Sequence, residues 1–268
     1  MRPRVEAPFA VRGLEYGGAR PLFCVPLVAA DLRNLLAQAG VAHELAADLV
    51  EWRADFYEDL TVGGFIDSLS RLRSILPDEP VIFTLRIKAE GGAREVPQEI
   101  RKACIEAVSA SGLVDLIDLE LCNETAFLES AMRVAQDHGV RVILSFHDFE
   151  KTPANEELLE KISLMSRRGA DVAKIAVMPQ TAGDVLRLLE VTLEARQCFP
   201  RLALCTMSMG RLGVLSRVAG FLFGSDMAFG AGQESSAPGQ VPIADARVIS
   251  EKLLKYAGAD SWKSGAAR

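Results

Sequence analysis

"VRVILSFHDFEKTPANEELLEKISLMSRRGADVAKIAV", residues 140–177, decides the fold. Val140–His147 and Asp171–Val177 are short apolar runs with the β-branched content of buried strands. Between them, Asn155–Gly169 carries apolar residues at helical spacing, and a glycine ends it. Strand, helix, strand in this order is a parallel crossover unit. Similar runs recur as "PLFCVPL" (21–27), "LVEWRAD" (49–55), "PVIFTLR" (80–86), "VDLIDLEL" (114–121), "RLALCTM" (201–207) and "SDMAFGA" (225–231). "TAGDVLRLLEVTLEARQ" (181–197) is a second clear amphipathic helix. Eight strand–helix units in 268 residues predict an α/β fold, a (β/α)8 TIM barrel, as one domain over residues 1–268. No G-x-G-x-x-G follows the first strand, which disfavours a dinucleotide fold. Residues 1–20 are expected to form an N-terminal hairpin or arm across the barrel bottom, and 258–268 a flexible tail.

Composition narrows the function. No run of 18 apolar residues is present, so no membrane span is expected, and the first residues lack the apolar core of a signal peptide. The five cysteines are odd in number and mostly lie within apolar runs, as filler in a reducing cytoplasmic compartment. There is no C-x-x-C, and the three histidines are scattered, so no metal site is expected. The net charge is −6 with basic residues dispersed, which argues against nucleic acid but leaves room for a small anionic substrate in a locally basic pocket.

Charges on the strands locate the chemistry. Side chains alternate along a strand, so one parity faces the barrel interior. Glu51, Arg53 and Asp55 share one parity. So do Thr84 with Arg86, Asp118 with Glu120, Ser145 with His147, and Lys174 with Val172 and Ala176. The opposite parity is almost wholly apolar and suits helix packing. Buried charge is costly unless paired, yet five consecutive strands carry it near their C-terminal halves, where barrel enzymes build their sites.

Each residue alone has a plainer explanation. A strand-end histidine is more often structural than catalytic, and a lone strand lysine usually snorkels. Asp118 and Glu120 could simply balance Arg53 and Arg86. Lys174, in the middle of "VAKIAV", has no polar neighbour in sequence to explain it. A desolvated lysine among other cations is expected to have a lowered pKa and to attack a ketone or aldehyde as the free amine. A histidine on the adjacent strand could then move protons at the neighbouring carbon.

These residues, together with "EWRAD" (51–55), "FTLRIKAEGG" (83–92), "LSFHDFEKTP" (144–153), "VAKIAVMP" (172–179), "TMSMGRLGVLSR" (206–217), "FGSDMAFG" (223–230) and "SAPGQ" (236–240), give the chain its resemblance to type I 3-dehydroquinate dehydratases. The resemblance runs from "CVPL" to "PGQ" and implies a barrel, usually dimeric, without metal or cofactor. It implies dehydration of 3-dehydroquinate to 3-dehydroshikimate in the shikimate pathway. Lys174 would form the imine, His147 would serve as general acid and base, and Glu90 would orient His147. Glu51, Arg53 and Arg86 would hold substrate hydroxyls and order the pocket. Arg217 would clamp the carboxylate, and Met207 and Met209 would pack beside the ring. Phe229, Ser236 and Gln240 would belong to a closing side, with "AGQESSAPGQVP" (231–242) as a lid. Pro26 stands where some members carry a small polar residue. "GGAR" (91–94) reads as a mobile loop next to Glu90. Two rivals share features of this reading: a Schiff-base aldolase, which would need a phosphate cradle after strands seven and eight, and a non-catalytic anion-binding barrel.

Overall fold

The computed structural model describes residues 3–232 and 239–257. An antiparallel hairpin, β1 (Phe9–Val11) and β2 (Leu14–Tyr16), comes first. The barrel strands follow: β3 (Leu22–Leu27), β4 (Leu49–Arg53), β5 (Val81–Thr84), β6 (Leu116–Glu120), β7 (Arg141–Asp148), β8 (Val172–Val177), β9 (Ala203–Ser208) and β10 (Met227–Phe229). Helices α1 (Leu32–Glu44), α2 (Val62–Ile75), α3 (Gln98–Ala110), α4 (Thr125–Asp137), α5 (Asn155–Arg167), α6 (Ala182–Cys198), α7 (Val214–Ala219) and α8 (Ile243–Tyr256) alternate with them. All eight strands are parallel, in the order β10-β3-β4-β5-β6-β7-β8-β9. This is the (β/α)8 barrel read from the sequence, and the first residues form the expected hairpin.

Parity separates two cores. Outward residues such as Phe23, Val25, Trp52, Phe83, Ile117, Leu144 and Ile175 pack against the helices. There Trp52 meets Tyr57, Phe65 and Phe83 edge-on, with ring centroids 5.3–5.7 Å apart. Each fully buried large side chain contributes about 1.5–3 kcal/mol. Inward residues Leu22, Leu49, Ile82, Leu116, Ile143, Val172, Ala203 and Met227 form an apolar floor. Tyr16, fully buried and stacked on Phe9, plugs that floor from the hairpin. One step further along β4 to β8 the inward residues turn polar: Glu51, Thr84, Asp118, Ser145 and Lys174. The floor keeps water from entering below, so the charged layer opens only toward the C-terminal mouth.

The bottom of the barrel is pinned by a repeated device. Asp48, Asp115, Asp171 and Asp226 each stand one residue before β4, β6, β8 and β10. Each accepts the backbone N–H of the preceding strand, from Phe23, Val81, Val142 and Leu204 respectively, at 2.8 Å. Each is also paired with arginine: Arg20, Arg12 with Arg73, Arg141, and Arg196. A carboxylate at this position satisfies a strand-end donor and fixes the register of one strand against the next. At the seam, β9 and β10 are joined by Asp226 N–H donating to Leu204 O at 2.6 Å and Thr206 N–H to the Ser225 hydroxyl at 3.1 Å.

Candidate active site

Lys174 lies on the inward parity of β8, with its side chain 5% exposed. Its Nζ donates to Asp118 Oδ2 at 2.8 Å and to Glu51 Oε1 at 3.3 Å, and stands 4.4 Å from the centroid of the Phe229 ring. This corrects the expectation of a lysine among cations. Burial pushes its pKa down, but Asp118 and Glu51 outweigh both burial and Arg86, and the net shift is upward. The resting lysine is an ammonium.

The carboxylates are themselves held. Glu51 Oε1 accepts the Thr84 hydroxyl at 2.9 Å. Asp118 accepts the Ser145 hydroxyl at 2.6 Å and Arg86 Nη2 at 2.8 Å. Burial alone would raise the Asp118 pKa, but Arg86 and Lys174 drive it well below the usual carboxylate range. Arg86 Nη1 also reaches Glu120 at 3.0 Å and Ser145 at 2.7 Å, and Arg101 Nη2 reaches the second Glu120 oxygen at 2.7 Å. Asp118 and Glu120 thus balance Arg86, whereas Arg53 does not share them. The chain leaves β4 in a short 3-10 turn, Ala54–Phe56, and Arg53 forks onto Asp55 at 2.9 and 3.0 Å.

His147 lies two residues beyond Ser145, the register partner of Lys174. Its Nδ1 meets Glu90 Oε2 at 2.9 Å, and its backbone N–H donates to the same oxygen at 3.0 Å. An oxygen accepting both bonds sets the Nδ1–H tautomer and leaves Nε2 as the free base. Burial, then Arg86 and Lys174, hold the His147 pKa well below the ordinary histidine value, so the ring is neutral. Burial pushes the Glu90 carboxyl up to about 7, partly offset by the Cys122 thiol and Arg86.

Glu90 closes a 3-10 turn, Lys88–Glu90. The adjoining segment is tied down rather than open: Arg53 Nη2 donates to Gly91 O at 3.1 Å, and Ala93 N–H donates to Asp55 at 2.9 Å. Gly91 has φ +85, and a Cβ there would meet the Phe149 ring at 2.4 Å. "GGAR" is therefore a packed turn that aims Glu90, and Phe149 stacks on the His147 ring at 6.3 Å. Cys122 is also more than filler. The residue reaches the surface, but desolvation of its thiol beside the Glu90 carboxylate raises its pKa to about 12.

Met207 and Met209 are buried at the end of β9, and Phe229 is buried at the end of β10. Arg217 from α7 reaches Phe229 O at 3.4 Å and Met207 Sδ at 3.8 Å, and burial lowers its pKa to about 10. Gln240 is half-buried beside Gly239. Gly239 has φ +77, and a Cβ there would lie 2.0 Å from Gly210 O, so the far end of the segment expected to be a lid packs on the turn after β9. Ser236 lies outside the described residues, as does the tail 258–268. The structure brings Lys174, His147, Glu90, Glu51, Arg86, Met207, Arg217 and Phe229 to one mouth. The sequence reading left out Asp118, Ser145, Thr84 and Asp55 as site residues. For Asp118, Ser145 and Thr84 the signal was the inward parity they share with Lys174, whereas Asp55 lies in the 3-10 turn beyond β4.

A paired lysine, a neutral histidine and an arginine converging on the C-terminal end of a parallel barrel define a barrel enzyme. The type I 3-dehydroquinase family model matches residues 23–254, and the chain belongs to that family, whose members are hydro-lyases of class EC 4.2.1.10. The 3-dehydroquinate dehydratase of Bacillus licheniformis is 45% identical over 240 residues, 89% of this chain and 94% of that protein. That of Geobacillus thermodenitrificans is 42% identical over 249 residues, 92% and 96% of the two chains. The solved 3-dehydroquinate dehydratase of Geobacillus kaustophilus superposes with a TM-score of 0.92 at 38% identity, covering 96% of this chain and 99% of that one. The type I enzyme of Clostridium difficile, solved with covalently modified comenic acid, gives 0.90 at 36% identity over 93% and 98%. The dehydratase reading thus prevails over the aldolase and the non-catalytic barrel.

Proposed function

We propose that this chain dehydrates 3-dehydroquinate to 3-dehydroshikimate through an imine on Lys174, within the shikimate pathway of aromatic amino acid biosynthesis. The observation that carries it is Lys174 Nζ buried in the mouth of the barrel, on the strand next to His147. Nζ attacks the substrate ketone, and the carbonyl oxygen leaves as water. The iminium withdraws electrons from the neighbouring carbon. His147 Nε2 takes a proton from that carbon, leaving an enamine. The enamine expels the tertiary hydroxyl, which receives the proton from His147 and departs as water. Water then hydrolyses the imine and frees Lys174. The low pKa of His147 serves both steps: it is unprotonated at the start and a strong acid once charged.

Glu90 orients the imidazole. Arg217, whose guanidinium matches a carboxylate fork, holds the substrate carboxylate. Glu51, Arg53, Arg86 and Gln240 bind hydroxyls or order the pocket, and Met207, Met209 and Phe229 line the ring. A single domain, a homodimer and a cytoplasmic setting complete the proposal. The five cysteines, all free, support a reducing compartment. No helix among the described residues is long and apolar enough to cross a membrane.

The test is reductive trapping. Borohydride with substrate or product should add ligand mass to the peptide bearing Lys174. An adduct on another lysine, or none, refutes the imine. Lys174→Ala should lose turnover and keep the circular dichroism of the parent.

A further inference from the structure

The surroundings of Lys174 carry one step beyond the imine reading, on which that step rests. Asp118 sits in the middle of β6 and is buried. It is gripped from three elements: by Lys174 Nζ at 2.8 Å, by Arg86 Nη2 at 2.8 Å, and by the Ser145 hydroxyl at 2.6 Å. Ser145 in turn accepts from Arg86 Nη1 at 2.7 Å. The strand ladder fixes the partners, because Thr84 is in register with Asp118 and Ser145 with Lys174. Glu51, the second carboxylate on Nζ, is held more loosely. It lies at 3.3 Å, and the Thr84 hydroxyl is its other hydrogen-bond donor here. The two carboxylates therefore differ in kind. One is locked into a network that does not need the lysine to stay ordered, and the other is tied to a single hydroxyl.

The chemistry needs a locked anion at this point. Condensation of an ammonium with a ketone forms a C–N bond and breaks the C–O bonds of the carbonyl. Two N–H protons leave with the oxygen as water, and the nitrogen ends as a protonated imine. The nitrogen is thus positive before and after, and neutral only in between. A carboxylate that stays in place and stays ionised matches both charged states and opposes the neutral one. We propose that Asp118 is a positioning residue for Lys174, the fixed counter-ion that aims Nζ at the mouth and then faces the iminium. The charged or titratable groups around Nζ are Glu51 on β4, Arg86 after β5, Asp118 on β6, His147 on β7, Cys205 on β9 and Cys24 on β3, with the Phe229 ring from β10. Of these, Asp118 sits nearest Nζ, at 2.8 Å against 3.3 Å for Glu51.

The experiment is the rate of trapping by cyanoborohydride at saturating substrate, followed from mildly acidic to mildly alkaline pH in the parent and in Asp118→Asn. Asparagine keeps the shape, and Arg86 retains Glu120. In the parent, trapping should climb with pH as the ammonium gives up its proton. In the variant the climb should move to lower pH by roughly one unit or more. Turnover should nonetheless fall by about tenfold or more, since a one-unit loss of iminium stabilisation is tenfold. A merely structural role would lower both rates without moving the profile, and an unmoved profile overturns the proposal. If Asp118→Asn does not fold, Glu51→Gln decides: a climb left at its parental pH supports Asp118 as the counter-ion, and a climb moved down by roughly one unit or more assigns that role to Glu51 and overturns the proposal. Absence of any adduct in the parent at any pH would instead overturn the imine reading.

Discussion

One oxygen of Glu90, Oε2, holds His147 twice, through ring Nδ1 at 2.9 Å and through the backbone N–H at 3.0 Å. The double contact fixes the ring relative to its own main chain without relying on substrate, and leaves Nε2 outside the pair. It also couples the base to a carboxyl whose pKa burial has raised to about 7. Protonated Glu90 would offer a donor to Nδ1 and convert the ring to the wrong tautomer. The acid limb of kcat/KM should therefore fall as pH drops through about 7, reporting the Glu90–His147 pair as a unit. Glu90→Gln keeps an acceptor oxygen but cannot titrate. Its activity should be reduced moderately, and the limb near 7 should disappear. A limb that persists unchanged in Glu90→Gln would assign it to another group.

Removing the imidazole separates binding from proton transfer. His147→Ala leaves Lys174, Asp118 and Glu51 in place, because none of their hydrogen bonds runs through the ring. Adduct formation should continue, while elimination drops by roughly 10²–10⁴-fold or more. Single-turnover absorbance of the enone, read beside the mass of the trapped protein, distinguishes the two steps. Elimination at the parental rate would remove His147 from the mechanism.

The strands and their inward parity were legible in the sequence because alternation is local. Ser145, His147 and Lys174 needed only a count by twos. What lay beyond reach was who meets whom across the barrel. Asp118 stands two strands from Lys174, and only closure brings its carboxylate to Nζ, so the lysine was expected among cations and found between anions. The partner of Arg53 was out of reach for a different reason. The chain turns out of β4 at Ala54, which carries Asp55 back onto the guanidinium and away from the strand alternation. The β9–β10 seam depends on side chains, Asp226 and Ser225, that no strand periodicity reports. Glu90 and Arg217 lie outside the strands, and their roles came from resemblance.

The strand-leading aspartates differ in burial, and stability should follow that difference. Arg196 and Asp226 are both buried, their side chains at 2% and 1% exposure, and Asp226 also accepts Leu204 N–H. Arg20, the partner of Asp48, is 53% exposed. Asp226→Asn leaves a buried guanidinium without its charge partner, at a cost of about 3–5 kcal/mol. Arg20→Ala removes a solvated pair and should cost only about 0–1 kcal/mol. Urea denaturation of both variants checks the ratio. Equal losses would mean that the register device depends on the backbone contact alone.

Arg217 is a buried cation at the mouth, on α7 beside the ends of β9 and β10. Burial lowers its pKa to about 10, and its guanidinium reaches Phe229 O and Met207 Sδ. Arg86, by contrast, is already committed to Asp118, Glu120 and Ser145, and Arg53 to Asp55. A substrate carboxylate arriving at Arg217 would form charge-assisted bonds there, leave the Arg86 and Arg53 ion pairs intact, and raise the lowered guanidinium pKa. Arg217→Lys keeps one positive charge but loses the planar fork, and a buried ammonium sheds its proton more readily than a guanidinium. Substrate binding should weaken by about 1–3 kcal/mol, and the loss should grow toward alkaline pH as the lysine deprotonates. Calorimetric titration of product into the Lys174→Ala background, with and without the Arg217 change, measures this without turnover. Equal affinities in the two would place the carboxylate at Arg53 or Arg86 and leave Arg217 a packing residue between β9 and β10.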